Sequence, residues 1–234
     1  MLLFSVSIGC APAIRIPGPL GAVGKTWRAP AQDPAVETEN RAEAPPPRSG
    51  AVGDAVAESA RDYLGATTLS DGGETWRMDC SGLVEAAYAG AGITLSGTSP
   101  SLYEKARQTG VYHRSPHPHA GDVAFFEDTY DRDRDGRIDD GITHVAIVES
   151  VSEDGAITLV HFGTSAGISR IRMQLTHPDV FLNEEGLVAN SHLRRPRDRD
   201  PKGTHYLTGE LWAGFASFWE ASSVAVTTFA PPPK

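Results

Sequence analysis

The sequence predicts an α+β domain in which helices come first and an antiparallel sheet follows. Three observations predict it. Apolar residues recur at helical spacing between Val52 and Tyr88. From Gly121 onward the pattern changes to short apolar runs rich in Val, Ile, Thr and Phe. Between two of these runs stands Glu153-Asp154-Gly155, a hairpin signal.

The elements follow in order. Val52, Val56, Ser59/Ala60 and Tyr63 share one helical face, and Gly65 is a suitable stop. Residues 66–78, around Gly72-Gly73, read as a loop. Asp79-Cys80-Ser81-Gly82 favours a helix start. Leu83, Val84, Ala87 and Tyr88 then form the apolar stripe of a helix reaching about Gly90. Ser101 to Gln108 reads as a short helix. Asp122 to Phe126, Thr143 to Val151 and Ala156 to Phe162 read as strands, and Gly167 to Leu175 alternates weakly as a candidate fourth. Glu210 to Trp219 looks like a closing helix.

Composition bounds the function. A chain of 234 residues, 40% hydrophobic and 22% charged, suits an ordinary globular protein of one or two domains. A net charge of −9 argues against nucleic acid or an anionic membrane surface as the main partner, because both call for a basic patch. The densest basic stretch, Arg194 to Lys202, is interleaved with Asp and broken by Pro, which reads as a solvated loop. No run approaches the ~20 apolar residues of a membrane span. Gly24-Lys25-Thr26 imitates the end of a phosphate-binding loop, but Pro19 stands where that loop requires Gly, and no strand precedes it.

Residues 1–10 look like a lipoprotein-type export signal, an apolar run with Gly9 just before Cys10. The absence of Lys or Arg before Arg15, and Ser7 where such sites more often carry Leu, weigh against it. The alternative is a plain apolar N-terminus. Export with lipidation at Cys10 is the reading adopted, placing the chain in the periplasm or at the cell surface, anchored to a membrane. The two cysteines then have unrelated roles and no disulfide is expected. Residues 11–50, rich in Pro and Ala, read as a disordered linker. Residues 51–222 are the folded domain, with an acidic insert at 127–142, and 223–234 form a loose tail.

A thiol in the first turn of a helix meets free backbone N–H groups and the positive end of the macrodipole, which favour thiolate. Cys80 alone reads equally as nucleophile or as buried structural thiol. His144 begins one predicted strand and His161 ends the next, so a hairpin puts them at the same end of the sheet. A strict two-residue turn at Asp154-Gly155 sets His161 opposite Val148, too far along to touch His144; a longer loop or a bulge is needed. With the pair together, Cys80 is a nucleophile, His144 its base and His161 the group that orients the base. Backbone N–H groups at the helix start would hold the oxyanion. The alternatives for this trio are chance and a Cys/His/His metal site.

The wording of these segments resembles the NlpC-type cell-wall peptidases (NlpC/p-sixty), a branch of the papain-like superfamily. The resemblance rests on Asp79-Cys80-Ser81-Gly82-Leu83-Val84, Gly121-Asp122-Val123-Ala124-Phe125-Phe126, His144-Val145-Ala146-Ile147 and Val160-His161-Phe162, in that order, over residues 52 to about 165. It implies a papain-like domain with the Cys helix packed on an antiparallel sheet. It also implies hydrolysis of peptide bonds in peptidoglycan stems by Cys80, His144 and His161, with no cofactor for catalysis. Two other readings are a non-catalytic wall-binding module and an amidase or acyl-transfer enzyme on the same fold. The family often carries a Tyr twelve residues before the Cys; here that place is Thr68. The stretches 127–142 and after about 165 exceed a minimal family domain.

Inside the insert, Asp131, Asp133 and Asp135 stand at positions 1, 3 and 5 of a calcium-loop pattern, with Gly136 at 6, Arg137 at 7 and Asp139 at 9. Position 12 is Ile142 rather than Glu, so Asp140 or Glu127 would have to complete the shell. The expectation is a structural calcium ion; the alternative is a solvated charged loop. His113, His117 and His119 lie in a Pro-broken stretch and read as an exposed loop.

Overall fold

The computed structural model describes residues 50–198 and 200–220. Cys10, the export signal, the linker up to residue 49 and the tail lie outside the described residues. Helix α1 (Ala51–Asp62) opens the domain. Strands β1 (Leu69–Asp71) and β2 (Glu74–Trp76) form a two-stranded hairpin over Gly72-Gly73, where a plain loop is expected from sequence. Both glycines take positive φ, 54° and 90°, as a two-residue hairpin turn requires, while the strands are too short for alternation to show.

Helices α2 (Cys80–Gly90) and α3 (Ser99–Thr109) follow. The remaining strands are β3 (Tyr112–His113), β4 (Val123–Glu127), β5 (Ile142–Val151), β6 (Ile157–Gly163), β7 (Gly167–Met173) and β8 (Trp212–Ala216). They form one antiparallel sheet in the order β3-β8-β4-β5-β6-β7. The expected closing helix shrinks to one turn, α4 (Thr208–Leu211), and the chain then enters β8. Strand β8 is inserted between β3 and β4 and its residues from Ala213 on are buried. A strand buried on both faces reads as a continuous apolar run, which periodicity does not separate from a buried helix.

The sheet divides two apolar layers. On one face Val123, Phe125, Val145, Ile147 and Val160 pack beneath the helices with Val56, Leu83, Tyr88 and Leu102. On the other, Ala124, Phe126, Ala146, Val148, Leu159, Ile171 and Phe215 would meet water but for the chain after β7. Leu175, Leu193, Leu211 and Trp212 cover them. Fully buried Asn190 fastens this cover: its amide donates to the carbonyls of His177 and Val180 (2.8 and 2.9 Å), and its Oδ1 accepts from Gln174 N (2.8 Å).

Candidate active site

Cys80 is the first residue of α2, and its placement is built from short-range chemistry. Asp79, extended at φ −144°, caps the helix: one carboxylate oxygen accepts from Gly82 N (2.7 Å) and from Ser81 Oγ (2.8 Å). Its carbonyl accepts from Leu83 N at 3.1 Å. Gly82 is required because a Cβ there would stand 1.9 Å from the Arg77 carbonyl oxygen. Arg77 braces the turn from outside, reaching Asp79 (3.6 Å), Ser81 Oγ (3.2 Å), Glu85 (3.2 Å) and the Gly97 carbonyl (3.1 Å). Every residue of the Asp79–Gly82 motif thus shapes the turn that presents the thiol.

Cys80 is partly exposed and free of any disulfide. Its Sγ lies 3.5 Å from Oγ of Ser99, the buried first residue of α3. Ser99 is a member of the site that sequence reasoning misses; Thr98, followed by Ser-Pro-Ser, signals a helix cap but not its distance from a thiol far back in the chain.

The histidines come together through two register changes. The turn after β5 is three residues long, closed by Ser152 N to the Ala156 carbonyl (2.9 Å), with Gly155 at φ 78°. This pairs Val151 with Ile157 and moves the register by one. A bulge between Val148 and Ser150 moves it once more, so Val148 pairs with Leu159 and Ile147 with Val160. Continued, that register sets His161 level with Ala146 rather than Val148, diagonal to His144 on one face. The rings meet edge to face, His144 Nε2 lying 3.1 Å from His161 Nδ1, and Phe126, paired with His144, flanks them at 6.0 Å.

Both rings are buried. Burial, and next the proximity of His161, lowers the His144 pKa to about 3. Burial lowers that of His161 to about 4. Both are therefore neutral at pH 7. One ring donates and the other accepts, and for His144 to take a proton at Nδ1 its Nε2–H must donate to His161 Nδ1. Among the described residues no hydrogen bond links Cys80 Sγ to either ring.

The acidic insert adjoins both partners. Thr129 N and Oγ1 each lie 2.9 Å from Thr143 Oγ1, one residue before His144. Tyr130 is half exposed; burial first, then the nearby Cys80, and more weakly Asp140 and Asp79, raise its pKa against the opposing pull of Arg132. Of the expected calcium ligands, Asp131 and Asp133 gather together with Asp140, whereas Asp135, Arg137 and Asp139 do not join that cluster. A cavity of about 940 Å³ separates the insert from residues 194–211, lined by Glu127, Asp131, Arg137, Arg197 and His205 among others, and neither Cys80 nor the histidine pair reaches it.

The second histidine group departs from expectation. His117 is exposed, but His113 and His119 surround a fully buried carboxylate. Asp122 accepts from Trp219 Nε1 (2.9 Å) and His119 N (2.8 Å), and its Oδ2 lies 3.3 Å from His113 Nε2. The preceding Gly121 takes φ 85°, and a Cβ there would stand 2.4 Å from the Gly53 carbonyl oxygen, so the Gly121-Asp122 pair locks α1 and Trp219 onto β4.

Residues 69–162 match the family model of the CHAP domain. No curated protein matches the chain. Among solved structures, a protein similar to lipoproteins of the NLP/p-sixty family from Staphylococcus aureus is 25% identical, with a TM-score of 0.35; the match covers 54% of this chain and 38% of that one. NlpC1 of Trichomonas vaginalis is 20% identical (TM-score 0.33, 50% and 38% covered). NlpC2 of the same organism is 18% identical (TM-score 0.33, 51% and 40% covered). The chain thus spans well under half the length of these structures. Its Cys80 helix, the β4 and β5 segments and nearly all of β6 fall inside the stretch that is similar to the CHAP domain.

Proposed function

We propose that this chain is a cysteine hydrolase that cleaves peptide bonds in the stem peptides of peptidoglycan, with Cys80 as nucleophile, His144 as base and His161 as the group that orients the base. The observation that carries the reading is the capped helix start at Cys80 together with the hydrogen-bonded His144–His161 pair, both within the CHAP-type segment. His144 Nδ1 takes the thiol proton, and Cys80 Sγ attacks the scissile carbonyl carbon. Asp79 occupies Gly82 N–H, so the N–H groups of Cys80 and Ser81 are the first-turn donors left for the oxyanion. The proton then passes from His144 to the leaving amine, which departs and leaves a thioester. Water, deprotonated by His144, attacks that thioester and frees the carboxylic acid and the thiol. In apo structures catalytic hydrogen bonds are often long and tighten with substrate bound, which fits a thiol still held by Ser99.

In this reading the chain is exported, its Cys10 is lipidated, and residues 11–50 tether the domain to a membrane facing the wall. The same residues would serve an amidase, and the experiment separates the two. Purified peptidoglycan is digested with the wild type and with Cys80→Ala, and the released fragments are identified by mass spectrometry. Peptide fragments released by wild type alone are expected. Release of whole stems from the sugar would establish an amidase, and equal, empty digests would establish a wall-binding module. Loss of membrane fractionation in Cys10→Ser is expected from the anchor.

A further inference from the structure

The segment between β4 and β5 folds around its own carboxylates. Asp131 Oδ2 accepts from Gly136 N (3.0 Å), Asp133 Oδ1 from Asp135 N (3.1 Å) and Asp135 Oδ1 from Arg137 N (2.8 Å). Asp140 reaches back across the loop to accept from Arg132 N (2.8 Å) and Asp133 N (3.3 Å). The result is a gathering of oxygens from Asp131, Asp133 and Asp140, all within 4.8 Å of one another. Arg132 Nε stands 3.8 Å from Asp140 Oδ1.

Asp131 Oδ1 gives a separate indication. While its sister oxygen is bonded to Gly136, Oδ1 is buried from solvent and has no hydrogen-bond partner among the described residues. A buried anionic oxygen without a donor is costly, and two further carboxylates beside it raise that cost. A hard cation removes both penalties at once.

We propose that this loop binds a calcium ion through the carboxylates of Asp131, Asp133 and Asp140, with water and loop carbonyls completing the shell. Calcium accepts six to eight oxygens in flexible geometry, whereas magnesium demands a near-ideal octahedron and keeps its waters, so a pliant carboxylate-rich loop favours calcium. The spacing of the calcium-loop pattern supplies Asp131 and Asp133. Asp140 takes the place of the acidic residue that the pattern wants at Ile142, which is committed to the first position of β5. The ion lies just beyond a clamp formed by Asp128 N to the Gly141 carbonyl (2.8 Å), Gly141 N to Asp128 Oδ1 (2.9 Å) and the Thr129–Thr143 bonds. It therefore holds the loop that carries Tyr130 toward Cys80 and leads into His144. The site uses none of the proposed catalytic side chains, and its test is independent of hydrolysis.

The test is calorimetric titration of the EGTA-treated chain with calcium chloride, paired with thermal melts. One site is expected, with Tm raised by about 5 °C at calcium a hundredfold above Kd. Asp131→Asn and Asp140→Asn should each abolish the heat and the shift while folding by circular dichroism, and Glu104→Gln, exposed on α3, should keep both. No heat with wild type, an equal response to magnesium, or a shift surviving in both aspartate variants would overturn the proposal.

Discussion

The turn that presents the thiol depends on single atoms. A methyl group at position 82 collides with the Arg77 carbonyl, and that carbonyl belongs to the residue whose guanidinium braces Asp79, Ser81 and Glu85. Gly82→Ala is therefore expected to lower stability by about 3 kcal/mol, the scale of overpacking a rigid site, and urea unfolding measures it. A variant as stable as wild type would mean the turn has room to yield. The Asp79–Gly82 motif was legible in the sequence because a helix cap is a local event. Ser99 and Tyr130 were not: their approach to Cys80 is set by where α3 and the insert dock, and one chain carries no signal of that.

At the scale of elements, legibility followed how local each decision was. Helices α1 and α2 and strands β4 to β7 could be read from period and flanking glycines, whereas β8 could not, because a strand buried on both faces loses its alternation. The His144–His161 contact was half legible. The shared end followed from the hairpin, but the three-residue turn and the bulge that bring the rings to 3.1 Å depend on backbone geometry. The stretch after β7 had no assigned role from sequence, and it covers the second face of the sheet. Its attachment hangs on Asn190, whose side chain satisfies three backbone groups between Gln174 and Val180. Asn190→Ala leaves those groups buried and unpaired and should cost on the order of 3 kcal/mol. Limited proteolysis should then cut first between residues 175 and 207; cutting there no faster than in wild type would count against the role given to Asn190.

For the molecule as a whole, the buried histidine pair sets a pH dependence. Each ring has a folded pKa below the ~6.5 of an unfolded chain, so below that value the unfolded state binds more protons and acid favours unfolding. Stability should rise from about pH 3 to 6.5 through these two groups and level off above. At pH 5 each ring contributes a penalty of up to ~2 kcal/mol. Urea titrations at pH 5 and 7.5 measure the difference, and His161→Gln should remove about half of it; an unchanged difference would place its source elsewhere. The sheet order has a consequence of another kind, for the order of assembly. Strand β3 pairs with β8 alone, and Tyr112 Oη donates to the Ala213 carbonyl across 101 residues of chain. Contacts so remote in sequence are slow to form, and β3 stays unpaired until β8 arrives. A fragment trimmed to residues 69–162 would hold the three candidate catalytic residues and still lack the strand that ties β3 to the rest of the sheet. Strand β3 therefore has to wait for a segment about a hundred residues further along the chain before it can join the sheet.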